Sequence, residues 1–600
     1  TWFYNNHIPE ADKVYAWLRA QMRAGIPVLM LGSFGFPMDN AHLQPLGLKV
    51  GATPHDLTRS RVTLQDKHYV GFEAQPLAIP DSFQPLRLLK GKTLLRITDR
   101  RGHDEDAIGL TPWGGYALSP NAVAEMPGGP ADSDHTTASW VLNPFHFFRA
   151  ALRLPAMPAP DTTTDSGRRM LLIHIDGDGF ANKSWSYRYR DQYAAKVILD
   201  EILKKYRLPT SASFIVSYYT PDGLFPKQAA QLTAIARKIA ALPWVEIGSH
   251  TYSHPFDWRT LEKDPDLSGR RGRSLKYGYN LSVPGYDRFS DKKEIIWAAH
   301  WINRHIAPPG KKTVMLQWSG NCDPDARAVG LTYRDGLMNI NNGGASISNV
   351  YPTLTRVYGL GIWKGKYFQV YAPMQNEEVY TNGWRGPYYG YEQVIQTFKL
   401  TDKPRRIKPI NIYYHFFSGE RDSSLKALKK VYAWVSRQRT APVYASTFST
   451  IAVDFSHVAI ARNGGAWIVR DYGRLQEMRI PTRMGYPDLA ASRGVAGYDD
   501  HGGVRYIHLL PGAQARIVLR PQPPTRPYIH DANARIMTAR RMDHVLEVTL
   551  TGHMPLNFRL GNARQCRLRS AGKPVPGKSE NGLMAYHTDK THGRFQLACG

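Results

Sequence analysis

The central half of the chain alternates short apolar runs with amphipathic stretches. The apolar runs have the length and the β-branched and aromatic content of buried strands, and they are "MLLIHI", "SASFIVSYY", "WVEIGS", "KTVMLQW", "LMNI", "YFQVYA", "INIYYHF" and "VYASTF". Apolar residues recur with helical spacing at about residues 190–206, 225–241, 290–306 and 423–437. Strands that alternate with helices predict a parallel sheet, and about seven or eight such units predict a closed (β/α) barrel.

The two ends of the chain have different patterns. Residues 10–23 show helical spacing and precede the apolar run "GIPVLMLGSFGFP", so we predict a Rossmann-like α/β domain over residues 1–154. Residues 155–168 are rich in Pro and Thr and predict a linker. Beyond the barrel, which we place at residues 169–455, short β-like runs separated by Gly, Pro and Asn predict a β-sandwich over residues 456–600. The fold class is therefore multidomain α/β.

Length, composition and charge limit the classes of function. A chain of 600 residues exceeds one hydrophobic core, and hydrophobic and aromatic fractions of 42% and 11% are those of a folded protein. No run approaches the length of a membrane-spanning helix, and no charged-then-apolar leader follows Thr1, so we expect a chain from which any signal peptide is absent. The net charge of +27 is spread over the sequence without a nucleic-acid motif, so we expect no nucleic-acid partner.

The chain contains three cysteines, too few for a disulfide framework. Cys566 and Cys599 lie close enough in sequence to close a modest loop, and both a disulfide and a reduced pair are open alternatives. We expect Cys322 to be a buried small residue rather than a nucleophile.

Two motifs that follow apolar runs are candidates to share a metal ion. His250 and His254 in "EIGSHTYSHPFDW" are four residues apart, a spacing that on a helix points two imidazoles the same way. Asp176 and Asp178 in "HIDGDG" end the first apolar run, and extended residues at i and i+2 project from one side. A turn that closes a loop or binds calcium is the alternative for the two aspartates. Because both motifs are expected at the C-terminal ends of parallel strands, one carboxylate and two imidazoles predict a catalytic metal site.

Two further histidines belong to the apolar runs. His415 ends "INIYYHF", and as a third polar residue at the mouth of the same sheet it is a candidate acid or base. A packed histidine among aromatic residues is the alternative. His174 lies inside the first run, and we interpret it as an interior histidine with satisfied hydrogen bonds.

Together these motifs resemble the polysaccharide deacetylase family of NodB-like barrels. The family pattern is an acid pair after the first strand, H-[ST]-x-x-H after a later strand and a lone histidine near the last strands. The segments "HIDGDGF", "GSHTYSHPFDW", "LQWSGNCDP", "NINNGG" and "IYYHFFSG" are most similar to deacetylases of the Pel biofilm exopolysaccharide. The resemblance covers residues 169–455 strongly and the flanking regions more loosely, and it implies a NodB-like barrel.

The resemblance also implies a role for each candidate residue. Asp178, His250 and His254 would bind the metal, with Zn²⁺ expected and another divalent transition metal possible. Asp176 would be the general base for a metal-activated water that attacks the acetamide, and His415 the general acid for the departing amine. The implied activity is metal-dependent de-N-acetylation of an N-acetylhexosamine polysaccharide, a carbohydrate esterase reaction on a C–N amide bond.

The sequence departs from the family pattern in two places. Ordinary members have adjacent acids, whereas Gly177 separates the pair here. The usual Arg-Pro motif that orients the base is absent, and Asp325 or Arg327 could replace it, with capping of a loop as the alternative. Trp384 is our candidate for the conventional partner of His415.

The resemblance implies a bacterial periplasmic location and an outer-membrane export partner with tetratricopeptide repeats. It also implies an upstream glycoside hydrolase domain, and this chain is expected to begin after it. "GSFGFP" lacks the G-x-G-x-x-G spacing, so we expect no dinucleotide cofactor in the first domain. A non-catalytic glycan-binding or scaffold protein and an amidase for another acetamide are the alternative functions.

Overall fold

A computed structural model describes the chain except residues 53–59, 76, 78, 80–82, 126–137, 267–282, 543 and 600. The described residues divide into two compact units. One comprises Thr1–Ala156 with Ile347–Val357, and the other comprises Met157–Ser346 with Tyr358–Gly600.

The first unit is built around one mixed β-sheet. The strands of the unit are β1 (Trp2–Phe3), β2 (Val28–Gly32), β3 (Leu48–Val50), β4 (Arg61–Gln65), β5 (Leu86–Leu88), β6 (Lys92–Thr98), β7 (Asp104–Thr111), β8 (Gly114–Leu118), β9 (Val123–Glu125) and β10 (Ala138–Trp140). The first eight belong to this sheet, and β9 and β10 pair with each other in a separate two-stranded sheet. Its helices are α1 (Ala11–Arg23), α2 (Asn40–Leu43) and α3 (Pro144–Ala151). The helix predicted at residues 10–23 is confirmed as α1, whose Leu18 is buried.

The sheet differs from the Rossmann-like expectation. The main row is β1-β2-β8-β7-β5-β3, and only β1–β2, β2–β8 and β5–β7 pair in parallel. A Rossmann fold needs crossover helices between parallel strands, whereas β6, β7 and β8 follow one another through short turns and pair antiparallel.

The second unit contains a parallel sheet that carries all the candidate site residues. The strands of this part of the unit are β11 (Ala159–Pro160), β12 (Thr164–Asp165), β13 (Arg168–Asp176), β14 (Thr210–Phe214), β15 (Val245–Ser249), β16 (Thr313–Gln317), β17 (Met338–Ile340), β18 (Gly361–Lys364), β19 (Tyr367–Val370), β20 (Ile410–His415) and β21 (Thr440–Pro442). Of these, β18 and β19 form a separate hairpin, and β11 belongs to a C-terminal sheet. The parallel row runs β17-β16-β15-β14-β13-β20, with β21 also parallel to β13. Among the described residues no strand pairing joins β17 to β20, so the sheet is an open, incomplete barrel.

Two of the runs predicted as strands of the parallel sheet do not join it. "YFQVYA" forms β19, which pairs antiparallel with β18 instead of joining the parallel row, because only Gly365 and Lys366 separate the two strands. Most of "VYASTF" belongs to a helix, in which Phe448, Ile451 and Ala452 are buried at helical spacing.

Helices pack around the parallel sheet. They are α4 (Ala194–Ile198), α5 (Lys204–Tyr206), α6 (Ala229–Ala240), α7 (Trp258–Lys263), α8 (Ala298–His305), α9 (Ala326–Arg334), α10 (Glu377–Tyr380), α11 (Val394–Leu400), α12 (Asp422–Val435) and α13 (Ala445–Phe455). A π-helical turn joins α4 to α5, and another precedes α8. All four helices predicted from apolar spacing are therefore present.

The C-terminal part of the second unit is composed of β-sheets. Its strands are β22 (Ala459–Asn463), β23 (Ala466–Arg470), β24 (Glu477–Pro481), β25 (Tyr486–Pro487), β26 (Val495–His501), β27 (Val504–Leu509), β28 (Gln514–Arg520), β29 (Tyr528–Ala532), β30 (Arg535–Met542), β31 (Val545–Thr551), β32 (Asn557–Gly561), β33 (Cys566–Ser570), β34 (Lys573–Pro574), β35 (Gly577–Glu580), β36 (Leu583–His587) and β37 (His592–Cys599). They form sheets of eight, four and five strands, and the largest includes β11. A disulfide between Cys566 and Cys599 joins β33 to β37.

The segment predicted as a linker is part of this architecture. β11 pairs with β24 and β12 pairs with β13, and the side chains of Asp161 and Asp165 are buried. The Pro- and Thr-rich composition does not reveal these strands, because β11 is held by β24 far along the chain and β12 is only the short first strand of a hairpin with β13. No helix in the described ranges is both long and apolar enough to cross a membrane.

Candidate active site

Asp178, His250 and His254 meet at the C-terminal edge of the parallel sheet. The Nε2 atom of His250 lies 3.0 Å from Oδ2 of Asp178, and Nε2 of His254 lies 3.1 Å from Oδ1 of the same carboxylate. One ligand atom from each residue lies within 4.8 Å of the other two. Burial raises the pKa of Asp178, but the imidazoles of His254 and His250 outweigh burial and hold it well below its usual value. The group is therefore a carboxylate with two imidazoles against it.

The donor set fits a divalent transition metal. Ligands of a tetrahedral zinc ion lie about 3.3 Å apart, given metal–ligand bonds of about 2.0–2.1 Å. The two nitrogen–oxygen distances of 3.0 and 3.1 Å are close to that separation. The Nδ1–H of His250 donates to the main-chain carbonyl of Gln317 at 2.8 Å, which leaves the Nε2 lone pair for a metal. Asp178, His250 and His254 are the residues that would hold the ion.

The histidine pair lies in a loop and not on a helix. His250 follows β15 directly, and α7 begins only at Trp258. Thr251 and His254 adopt left-handed backbone conformations with φ of 68° and 61°. The four-residue spacing therefore brings the imidazoles together through a non-helical loop that contains two left-handed residues.

A buried carboxylate holds this loop in place. Glu294, in the π-helical turn before α8, accepts hydrogen bonds from the main-chain N–H groups of Tyr252 and Ser253, both at 2.9 Å, and from the Ser253 hydroxyl at 2.6 Å. These two residues lie between the two histidines. Glu294 thus determines the shape of the segment that presents both imidazoles.

We expect Glu294→Gln to weaken zinc binding by about 10- to 100-fold, the range for lost outer partners of metal ligands. The amide has one acceptor oxygen where the carboxylate accepts three hydrogen bonds, so the loop loses its fixed conformation. Affinity is measured by competition with a chromophoric chelator. The matched control is Glu246→Gln on β15, a half-buried carboxylate that accepts hydrogen bonds from Ser211 and Ser446 and has no described contact with a histidine of the site. Equal zinc affinities in the two variants would contradict the role of Glu294.

Asp176, at the last position of β13, faces the same site and has a different set of hydrogen-bond partners. Its carboxylate accepts hydrogen bonds from Nδ2 of Asn341 at 3.0 and 3.2 Å and from the hydroxyl of Tyr413 at 2.7 Å. It is 2% exposed, and its Oδ1 lies 3.8 Å from Nδ1 of His250. Asp176 is therefore oriented by an amide and a phenol rather than by an arginine.

His174 holds the side chain of Asn341, which in turn holds Asp176. Asn411 donates to Nδ1 of His174 at 3.1 Å, so Nε2 carries the proton that it donates to Oδ1 of Asn341 at 3.2 Å. Burial lowers the pKa of His174 to about 4, so the ring is neutral. The hydrogen-bond chain fixes the amide of Asn341 with Nδ2 toward Asp176, which gives His174 a supporting role.

His415 lies across the cavity from the histidine pair. Its Nε2 is 3.7 Å from Oδ2 of Asp176 and 4.0 Å from Oδ2 of Asp178. Glu377 accepts from the main-chain N–H of His415 at 2.7 Å and pairs with its Nδ1 at 3.1 Å. Burial lowers the pKa of His415, but the carboxylates of Glu377, Asp176 and Asp178 outweigh it and raise the pKa to about 10. The ring is therefore protonated at neutral pH, with Nε2–H directed at the two aspartates.

Of the residues proposed from the sequence as partners of Asp176 and His415, one contacts the site and two have other roles. Trp384 contacts His415 edge-on with ring centroids 5.2 Å apart, as proposed from the sequence. Asp325 instead caps α9 by accepting from the N–H of Ala328, and Arg327 pairs with Asp291 at 2.7 Å. Neither replaces the missing arginine.

Gly177 accounts for the spacing of the acid pair. A Cβ atom at this position would lie 2.9 Å from Cγ1 and 3.1 Å from the main-chain nitrogen of Ile215. Only glycine fits this close approach, so the chain turns at Gly177 and places Asp178 beside the imidazoles while Asp176 stays on the strand.

The site opens into a cavity of about 860 Å³. Aromatic side chains make up much of its wall, including Tyr218, Phe225, Trp318, Trp384 and Tyr388. Cys322 lies at the cavity and is a buried free thiol whose pKa burial raises well above the usual value, so it is a small buried residue, as predicted. Both the aspartates and all three site histidines line this one space.

Sequence reasoning overlooked four residues of the site, Asn341, Tyr413, Glu377 and Glu294. A signal existed for one of them. In β20 the polar residues Asn411, Tyr413 and His415 recur with a period of two, so they share a face, and β13 pairs with this strand so that Tyr413 lies beside His174 and His415 beside Asp176.

No family model and no curated protein matches this chain. Among solved structures, the BpsB deacetylase domain from Bordetella bronchiseptica is similar over 31% of this chain and 91% of that chain, with 15% identity and a TM-score of 0.19. The 4-alpha-glucanotransferase from Thermococcus litoralis is similar over 72% and 99%, with 6% identity and a TM-score of 0.27. The alpha-fucosidase from Thermotoga maritima is similar over 73% and 97%, with 11% identity and a TM-score of 0.22. TM-scores this low do not assign a function to the site.

Proposed function

We propose that this protein is a metal-dependent de-N-acetylase of an N-acetylhexosamine polysaccharide. The observation that carries the proposal is the shared cavity in which Asp178, His250 and His254 form a metal-ligand set beside Asp176 and His415. Such a set, together with a carboxylate that can accept a proton and an imidazolium that can donate one, matches the needs of amide hydrolysis.

A divalent ion held by Asp178, His250 and His254 would polarise the acetamide carbonyl and acidify a water molecule. Asp176 accepts the proton of the attacking water, and Asn341 and Tyr413 hold its carboxylate toward the cavity. His415 donates a proton from Nε2 to the amide nitrogen as the C–N bond breaks. One water is consumed, and acetate and a free amine on the sugar are released.

The proposal extends to the substrate, the metal, the partner and the location. The motifs resemble those of PelA, which leads us to propose a Pel-like exopolysaccharide of the biofilm matrix, Zn²⁺ as the metal and a tetratricopeptide-repeat export protein as partner. The Cys566–Cys599 disulfide supports a periplasmic location, because disulfides persist in oxidising compartments.

The proposal is tested by acetate release from N-acetylhexosamine oligosaccharides. We expect release with zinc-loaded protein, loss after removal of the metal and recovery when zinc is restored. Glycan binding without acetate release at saturating zinc would contradict an enzyme and favour a glycan-binding protein. Release only from peptidoglycan fragments or small acetamides would contradict the polysaccharide substrate.

Replacing Glu377 with Gln is expected to move the alkaline limb of the pH profile of kcat/KM to lower pH by about one unit or more. The Glu377 carboxylate raises the pKa of His415, so without it His415 loses its proton at lower pH and donates to the leaving amine over a narrower range. Glu378→Gln is the matched control, since Glu378 lines the same cavity beside Glu377 and is expected to move this limb less. An unmoved limb in Glu377→Gln would show that His415 is not the acid that this limb reports.

A further inference from the structure

An unusual aromatic surface lies beside the proposed catalytic cavity. Trp185 is 73% exposed and Tyr389 is 54% exposed, although side chains of this size are normally covered. Both line a shallow depression of about 720 Å³. Tyr388 and Arg421 line both this depression and the catalytic cavity, so the two spaces adjoin at these side chains.

The exposed tryptophan is held in a defined orientation. Its main-chain N–H donates to the carbonyl of Glu420 at 2.7 Å, and the neighbouring Ser184 hydroxyl donates to the same oxygen at 3.1 Å. The guanidinium of Arg421 lies 4.4 Å from the ring centre of Trp185 and 4.1 Å from that of Tyr388. A stacked arginine fixes the ring planes without covering the tryptophan, which is the arrangement of a preformed binding platform.

The charges of the depression favour a neutral occupant over a cationic one. Its basic side chains are Arg421, Lys426 and Lys430, against the acids Asp422 and Glu392. Lys430 pairs with Glu392 at 2.8 Å. Because three basic side chains face two acidic ones, the depression keeps a net positive charge. A sugar with a free ammonium group would be repelled here, whereas an acetylated sugar can place its apolar C–H face on an aromatic ring.

Resting on the proposed function, we propose that Trp185, Tyr388 and Arg421 form a subsite for still-acetylated sugars next to the one being hydrolysed. The platform would engage a chain long enough to leave the catalytic cavity, and short substrates would not reach it. The subsite would therefore select polymer over small acetamides and acetylated over deacetylated stretches.

The test compares an acetylated hexosamine disaccharide with the corresponding hexasaccharide on the zinc-loaded full chain. We expect Trp185→Ala to lower the ratio of kcat/KM for hexasaccharide to disaccharide by about five- to tenfold, the effect of one lost stacking contact. The control is Trp363→Ala, which removes a similarly exposed tryptophan on β18 outside the depression and should leave the ratio unchanged. An unchanged ratio in Trp185→Ala would overturn the subsite.

A binding measurement separates failure of the subsite from failure of the proposed function. Calorimetry with the acetylated hexasaccharide requires no turnover, so weaker binding by Trp185→Ala supports the platform even without acetate release. We expect the fully deacetylated hexasaccharide to bind wild-type protein more weakly, with a difference that narrows at high salt. Equal or tighter binding of the deacetylated chain, or equal binding of the acetylated chain by wild type and Trp185→Ala, would overturn the subsite.

Discussion

Replacing Asp178 with Asn is expected to weaken zinc binding by more than about 100-fold and to abolish acetate release at micromolar zinc. Loss of an outer partner of a metal ligand costs about 10- to 100-fold, and loss of a ligand itself is expected to cost more. Asp178 supplies the negative charge of the set, and the Nε2 atoms of the two imidazoles lie 3.0 and 3.1 Å from its oxygens, close to the separation between two ligands of one ion. Zinc affinity and acetate release are measured on the same preparations.

The control for this variant is the same Asp-to-Asn substitution at a position outside the site. Asp200→Asn removes a carboxylate that pairs with Lys196 and Lys204 on the helical surface, far in sequence from the histidines. Its zinc affinity should equal that of wild type. Near wild-type zinc affinity in Asp178→Asn would contradict the assigned ligand set.

Replacing Asp176 with Asn is expected to lower kcat by about 10²- to 10⁴-fold while zinc affinity changes only a few-fold. An amide at this position still accepts the hydrogen bond of Tyr413, so the local structure is retained, but it does not accept a proton from water. Acetate release and zinc affinity measured together distinguish this variant from Asp178→Asn, in which both are lost.

Two outcomes would contradict the division of roles between the two aspartates. If Asp176→Asn lost zinc as Asp178→Asn does, Asp176 would be a ligand. If Asp176→Asn kept wild-type kcat, another group would take the proton from water. Tyr413→Phe gives an intermediate test, because it removes one of the hydrogen bonds that orient the Asp176 carboxylate.

The positions of Asp176, Asp178, His250, His254 and His415 could be predicted because each follows an apolar run. The run marks a buried strand, and the C-terminal ends of parallel strands meet at one edge of a sheet. The prediction needed no knowledge of the intervening loops, since the sheet itself brings the strand ends together.

The predictions that were wrong concern segments whose local pattern fits both a helix and another structure. A four-residue histidine spacing fits a helix, yet here two left-handed residues and Glu294 shape a loop. Apolar runs of six residues fit strands, yet "VYASTF" is largely helical because its flanking residues continue a helical face. Short runs carry too few residues to define a period.

The sequence by itself determined the repeated strand and helix units, the convergence of the polar strand ends and the kind of chemistry those side chains support. Only the tertiary structure decided the open form of the sheet and the partners of the site residues. Glu377 is 38 residues from His415, Asn341 is 165 from Asp176 and Tyr413 is 237 from Asp176. A hydrogen bond at such separation depends on how the whole chain packs. A local pattern such as the period of two in β20 can place Tyr413 on the face of the site, but it does not identify the partner of the side chain.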